Sequence, residues 1–195
     1  MNIESQALFS VPFFRSVYPS AEELKEQVVP LFLDIEKNDK NPVRYSFNGY
    51  TNYENNSQII DHTELSDLKK FLGTSVQSIH TSLGLPGNVH FTGSWFAINR
   101  QYSYHEKHNH LPDIWSGVYY VQANDADAGL TFCNPNHTSN WPFARIETYN
   151  EYTTPEITCK ASTGVLYVFP SYLEHKVNQQ LNDSERIMIA FNMGI

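Results

Sequence analysis

Three histidines, His105, His108 and His110, fall within six positions of the segment YHEKHNHLPDIWSGVYYV, residues 104–121. Neutral imidazole is the commonest protein ligand for divalent metals, so the question is which of them could share an ion. In an extended chain residues i and i+2 point to one side, which lets His108 and His110 converge. Pro112 disfavours helix just before it and supports the extended reading. His105 has the opposite parity to both and is expected to flank the site. A pair does not complete a site, and His175, after the run GVLYVFP and a Pro-Ser turn, is the distant third candidate. Eleven residues further on, Arg186 opens RIMIAFNM, in which Arg186, Met188, Ala190 and Asn192 share one strand face. A buried guanidinium without a partner is costly, so this arginine calls for an anion. A metal with an arginine nearby suits a small carboxylate gripped at both ends.

These residues need elements to position them. ALFSVPFF reads as a short edge strand interrupted by proline. SAEELKEQVVPLFLDIEKN reads as a helix, with Ser20 and Glu23 as a capping box and Leu24, Val28, Leu31 and Ile35 at helical spacing; Pro30 is expected to kink or shorten it. A long loop or ragged hairpin follows around residues 44–56. Leu65, Leu68, Leu72, Val76, Ile79 and Leu83 then form the stripe of a second helix, ended by Gly84 and Pro86. From residue 88 the period becomes that of strands: NVHFTGSWFAINR, WSGVYYVQA, GLTFCNP, EITCKA, GVLYVFP, HKVNQQ and RIMIAFNM. Many short strands in succession predict a sandwich, jelly roll or barrel. The chain is therefore expected to be α+β and one domain, with helical support over 1–87 and a β core over 88–195. The loop 136–156 is too long for a hairpin turn and is expected to act as a lid, with Trp141, Phe143, Arg145 and Tyr149 meeting substrate beside the tyrosines of 45–53.

Composition narrows the function classes. The 195 residues carry a net charge of −8 and no basic cluster, which argues against a nucleic-acid surface. No apolar run is long enough to span a membrane, and MNIESQALF lacks the basic and apolar regions of an export signal, so a cytoplasmic setting is expected and NNS, NHT and NDS are read as chance. Cys133 and Cys159 lie in strand-like runs and are expected to be free. His62, His80, His90 and His137 are expected to be ordinary core or surface residues, and Trp95 and Trp115 core anchors.

The order H-x-ligand, distal His, then Arg about ten residues on resembles the Fe(II)/2-oxoglutarate-dependent oxygenases, whose fold is a double-stranded β-helix or jelly roll. More narrowly, HNHLPDIWSGVYYV, TFCNP, GVLYVFPSYLEHKV and ERIMIAFN resemble a branch found in phages and bacteria, across residues 88–195. That resemblance implies Fe(II), 2-oxoglutarate and O2 as cofactor and cosubstrates. It implies His108 and His175 as iron ligands and His110 where the superfamily usually has Asp or Glu. Asp113, Glu106 and Glu174 stand as alternative carboxylates. Arg186 would bind the far carboxylate of 2-oxoglutarate, in the host cytoplasm if phage-encoded. Asn134, Asn192 and a tyrosine of the SGVYY run, Tyr119 ahead of Tyr120, would line the cosubstrate or substrate pocket. Met188 stands where many members place a hydroxyl. The implied reaction is hydroxylation of a C–H bond in a peptide or small-molecule substrate, releasing succinate and CO2. Two other classes fit part of the pattern: a cupin-type three-His metalloenzyme, in which Arg186 has no duty, and a non-catalytic jelly roll binding a sugar or small molecule.

Overall fold

A computed structural model of the chain describes residues 4, 9–42, 47–53, 58–136 and 145–195. Its elements run β1 (Phe14–Val17), α1 (Ala21–Asn38), β2 (Gly49–Thr51), two single 3₁₀ turns (Ile59–Asp61 and Thr63–Leu65), α2 (Ser66–Ser82), β3 (His90–Asn99), β4 (His105–His108), β5 (Trp115–Gln122), β6 (Leu130–Cys133), β7 (Glu156–Cys159), β8 (Val165–Pro170), β9 (His175–Val177) and β10 (Arg186–Gly194). Six strands form a major sheet in the order β1-β8-β5-β10-β3-β2, and four form a minor sheet in the order β4-β9-β6-β7. Their pairings are antiparallel. Two facing antiparallel sheets with this interleaved strand order make the expected jelly roll, with the helices packed on its major sheet.

Strand alternation divides the apolar residues into two cores. Between the sheets lie Trp95, Val118, Tyr120, Phe132, Phe169 and Met188. On the outer face of the major sheet, Phe96, Trp115, Tyr119, Ile187, Ile189 and Phe191 pack with α1 and α2. The major sheet is thus buried on both faces, which explains why β5 and β10 read as near-continuous apolar runs. Gly117 of β5 lies beside Phe191 of β10, whose ring occupies the space that a Cβ would need.

Two helix details differ from expectation. Ser20 makes no side-chain capping bond, so the Ser20–Glu23 box does not form. Helix α1 also runs uninterrupted through Pro30 to Asn38. Pro30 and Glu26, the residue four before it, lie on the exposed face, where water can meet the freed carbonyl, while Leu24, Val28 and Phe32 bury the opposite face. Phe32 stacks on Phe96 with ring centroids 4.2 Å apart, fixing the helix to β3. Arg100, just after β3, pairs with Glu36 of α1 and with Glu185 at the entry to β10, both at 2.6 Å. Of the other histidines, His80 is a satisfied core residue: its Nδ1 accepts from the Trp115 indole at 3.2 Å, leaving Nε2–H for the Pro86 carbonyl at 2.9 Å. His62 pairs with Glu64, His90 is exposed, and His137 lies outside the described residues.

Candidate active site

The site is built on the pairing of β4 with β9. His108 sits opposite His175, and His105 opposite Val177. Three positions along β4 therefore match two along β9, which is a β-bulge. The extra residue resets the parity, so His105 and His108 both face the space between the sheets, with ring centroids 5.5 Å apart. His105 is not the outward flanking residue that simple alternation predicts, because alternation fails at a bulge.

His110 follows two residues after β4 and is held by its backbone N–H, which donates to the Ser171 carbonyl at 2.9 Å. Ring centroids are 4.4 Å apart for His108 and His175, 4.9 Å for His108 and His110, and 5.1 Å for His110 and His175. Each ring offers one ligand atom to a common point, and the three atoms lie within 4.8 Å of one another. Backbone carbonyls fix two tautomers. His108 Nδ1 meets the Glu106 carbonyl at 2.7 Å and His175 Nδ1 meets the Leu173 carbonyl at 2.9 Å. A carbonyl can only accept, so Nδ1 carries the proton in both and Nε2 keeps a lone pair for a metal. Burial, reinforced by the neighbouring imidazoles, pushes His110 down to about 3 and His175 down to about 4, although the Leu173 carbonyl bond opposes the shift at His175. Burial, His108 and Arg186 push His105 down to about 4. The lowered values favour the neutral imidazole in His110 and His175, the form that ligates a metal.

No carboxylate joins the cluster among the described residues. Asp113 is directed elsewhere and accepts from the Thr92 hydroxyl at 2.6 Å. Glu174 pairs with Lys107 at 2.7 Å on the exposed face, and Glu106 is exposed, contributing its carbonyl rather than its carboxylate. The set that could hold a metal is three imidazoles.

Arg186 opens β10 on the inner face and is 0% exposed. Its Nη1 donates to the Ala128 carbonyl, while Nε and Nη2 have no partner among the described residues. Burial disfavours its charge, with Tyr120 and Asp127 acting in the opposite sense. Two orphaned donors on one planar guanidinium form a fork that matches one carboxylate. A metal with a dicarboxylate reaching toward Arg186 therefore fits the residues present: the ligand set holds no carboxylate and the buried fork needs an anion.

The weaker candidates fare differently. Asn192 is buried, and its Oδ1 accepts from Ser116 Oγ at 2.8 Å, which lies 2.8 Å from Ser171 Oγ. This chain ends at the residue whose carbonyl holds His110, so Asn192 braces the triad. Asn134 closes its own turn instead, donating to the Thr154 carbonyl and accepting from the Asn136 N–H, both at 2.9 Å. Tyr119 belongs to the helix-side core, with Tyr18 edge-on at 6.1 Å; Tyr120 is the one on the inner face. The choice of Tyr119 for the pocket is thus corrected: alternation along β5 sends the two rings to opposite sides.

A cleft of about 320 Å³ opens over the triad, lined by Tyr53, Trp95, Glu106 and Asn109 with His105, His108 and His110. Trp95, expected only as a core anchor, has its ring 5.6 Å from His110 and 4.8 Å from Tyr53, and forms the cleft wall. A second void of about 20 Å³ lies between the sheets, bordered by His105, His108, His110 and His175, with Val177 and Met188 among others. Tyr45, Trp141 and Phe143 lie outside the described residues; Arg145 and Tyr149 are exposed, and Tyr50 is in the helix-side core. Cys133 and Cys159 are free. No helix among the described residues is long and apolar enough to cross a membrane.

Comparison with known proteins agrees with this geometry. No curated protein matches the chain by sequence. Solved structures share its fold at low identity. The crystal structure of AviO1 from Streptomyces viridochromogenes Tue57 is 13% identical, with a TM-score of 0.65 over 95% of this chain and 90% of that one. A Pseudomonas putida prolyl-4-hydroxylase is 14% identical, with a TM-score of 0.64 over 95% and 94%. HygX from Streptomyces hygroscopicus, solved with nickel, 2-oxoglutarate and hygromycin B bound, is 11% identical, with a TM-score of 0.63 over 94% and 83%. A family model described as "Putative 2OG-Fe(II) oxygenase" matches residues 93–192, the span holding the three histidines and Arg186. The chain belongs to this family of Fe(II)- and 2-oxoglutarate-dependent oxygenases, which use iron, 2-oxoglutarate and O2.

Proposed function

We propose that His108, His110 and His175 hold Fe(II), that Arg186 binds the distal carboxylate of 2-oxoglutarate, and that the enzyme hydroxylates a C–H bond of a peptide or small molecule. The observation that carries this reading is a set of three imidazoles with ligand atoms within 4.8 Å of one another, in a fold whose β10 carries a fully buried arginine with Nε and Nη2 unpartnered among the described residues. Iron held by His108, His110 and His175 would supply, with 2-oxoglutarate and O2, the oxidising power for hydroxylation, with succinate and CO2 as coproducts. The chain's own residues orient and exclude. The Glu106 and Leu173 carbonyls set the ligand tautomers of His108 and His175, and the Arg186 fork fixes the far end of the cosubstrate. Asn192 braces the turn that carries His110 through the two serines. Phe169, Val177 and Met188 keep water from the reacting end. Substrate, in this reading, enters over Trp95 and Tyr53, which line the cleft. In this reading residues 1–87 support the β core of 88–195 within one domain, and the enzyme works in the cytoplasm.

The test is an anaerobic titration of metal-free protein with Fe(II) and then 2-oxoglutarate, following the visible charge-transfer band of the chelate. Wild type should bind one iron and develop the band, Arg186→Ala should weaken it, and His175→Ala should bind no iron. Stoichiometric iron with no band would point to a cupin-type metalloenzyme, and failure to bind iron would leave a non-catalytic jelly roll.

A further inference from the structure

Besides its imidazoles, the cleft over the triad is lined by Trp95, Tyr53, Asn109 and Glu106. Among the described residues no lysine or arginine lines it. Glu106 joins this set through the bulge of β4. His105 and His108 turn to the interior, and Lys107 turns to the outer face, where it pairs with Glu174 at 2.7 Å. Glu106 is left at the rim of the cleft with an exposed side chain. Its main-chain carbonyl holds His108, while its carboxylate has no partner among the described residues. The Trp95 and Tyr53 rings meet edge to face, with centroids 4.8 Å apart and an interplanar angle of 79°.

An unpaired carboxylate beside two aromatic rings is a lining that recognises a cation. A positive group over an indole or phenol face is attracted by the ring quadrupole, and indole attracts it most strongly. A carboxylate adds opposite charge and acceptors for the N–H groups of that cation. An anion would be repelled here, and an uncharged group would gain neither contact. Fe(II) and 2-oxoglutarate, when both are bound, bring equal and opposite charges, so the walls of the cleft set its sign. The chain's net charge of −8 also favours encounter with cations. A volume of about 320 Å³ is at the small end for ligand pockets and suits one side chain or one sugar ring.

We propose that the substrate carries a positively charged amine, which sits against Trp95 and Tyr53 and pairs with the Glu106 carboxylate. The proposal rests on the reading of the triad as the iron site and of this cleft as the substrate entrance. In this arrangement the rings and the carboxylate hold the amine at the rim, so that a neighbouring carbon faces the triad. Glu106 is then a specificity residue, selecting amines over uncharged molecules of the same shape.

The test loads the full chain anaerobically with Fe(II) and 2-oxoglutarate and titrates it with three amines and their uncharged counterparts. The pairs are Nα-acetyl-lysine methylamide with its norleucine analogue, glucosamine with glucose, and cadaverine with pentanol. Perturbation of the charge-transfer band gives Kd, and succinate released on admitting O2 gives turnover. At least one amine should bind about fivefold or more tightly than its counterpart and raise succinate release, the scale of one ion pair with a cation–π contact. Glu106→Gln should reduce that preference to about twofold or less, and Glu106→Asp, which keeps the charge, should restore much of it. Iron and the band are measured on each variant. Should a variant lose iron, the comparison moves to wild type, where the preference should shrink as salt is raised. No preference for the amine in any pair, or one that neither Glu106→Gln nor salt diminishes, would overturn the proposal while leaving the iron site intact. A wild type that gives no band with 2-oxoglutarate would instead sink the reading on which it rests, and the proposal with it.

Discussion

Replacing Arg186 with Met should make the protein more stable and unable to bind its cosubstrate. Arg186 is 0% exposed, and its Nε and Nη2 have no partner among the described residues. Each buried unsatisfied donor costs about 1–3 kcal/mol, so the native state carries about 2–6 kcal/mol of strain at this residue. Methionine has a similar length and fills the space without those donors. The variant loses the Nη1 bond and leaves the Ala128 carbonyl alone, which returns about 1–3 kcal/mol. The net gain is about 2 kcal/mol, or about 4–8 °C in Tm for a chain of this size. The assay is thermal unfolding of metal-free and metal-loaded protein with and without millimolar 2-oxoglutarate. Wild type should gain Tm with cosubstrate, as any ligand that binds only the native state requires, and Arg186→Met should start higher and gain nothing. A variant that melts below wild type would refute the claim that the fork is uncompensated. One that still gains Tm with 2-oxoglutarate would refute its role in binding.

Three other outcomes are expected. Gly117→Ala should destabilise by about 1–3 kcal/mol because its Cβ meets the Phe191 ring, and Gly117→Ala combined with Phe191→Leu should recover part of that in urea melts; simple additivity would count against the explanation. Arg100→Ala should cost about 1–3 kcal/mol, discounted for partial exposure, since it frees Glu36 and Glu185 together; a double-mutant cycle with Glu36→Gln that shows no coupling would remove the ion pair as the cause. Metal-free protein should lose stability as pH falls. His105, His110 and His175 have native pKa values of about 4, 3 and 4, below the unfolded value of about 6.5. The unfolded chain therefore takes up protons that the native state refuses, so the contribution is complete above about pH 6.5 and shrinks below it, by up to about 1.4 kcal/mol per pH unit per histidine. Urea midpoints measured in chelator that stay flat between pH 7.5 and 5.5 would contradict this.

Much of the site was legible from residue types at fixed spacing. His108 and His110 lie two apart in extended chain, and Arg186 stands on the inner face of β10 with Met188 and Ala190, as alternation requires. His175 was found because it follows the strand β8 and a turn. What escaped was whatever depends on irregularity or pairing. The bulge in β4 has no marker in HEKH, so His105 was assigned to the wrong side. Tyr119 and Tyr120 are adjacent and chemically identical, and their sides are fixed only by the register of β5 against β8 and β10. Asn134 and Asp113 looked available because sequence does not reveal that Thr154 and Thr92 already occupy them. Helix α1 passing through Pro30 is a case of packing overriding a local preference, with the buried Val28 and Phe32 on the other face.

The shortness of β4 carries a further consequence. It is an edge strand of four residues that, among the described residues, pairs only with β9. His108 on one and His175 on the other are separated by a long stretch of chain, and a shared ion would join them as a cross-link. Such a link lowers the chain entropy of the open form, as a disulfide does, and by more for longer loops. Iron in this enzyme would then act as a buckle as well as a reagent. Metal-free, the edge should open at the lowest local free energy in the β core, and loading should slow amide exchange at residues 105–110 before it changes the global melt.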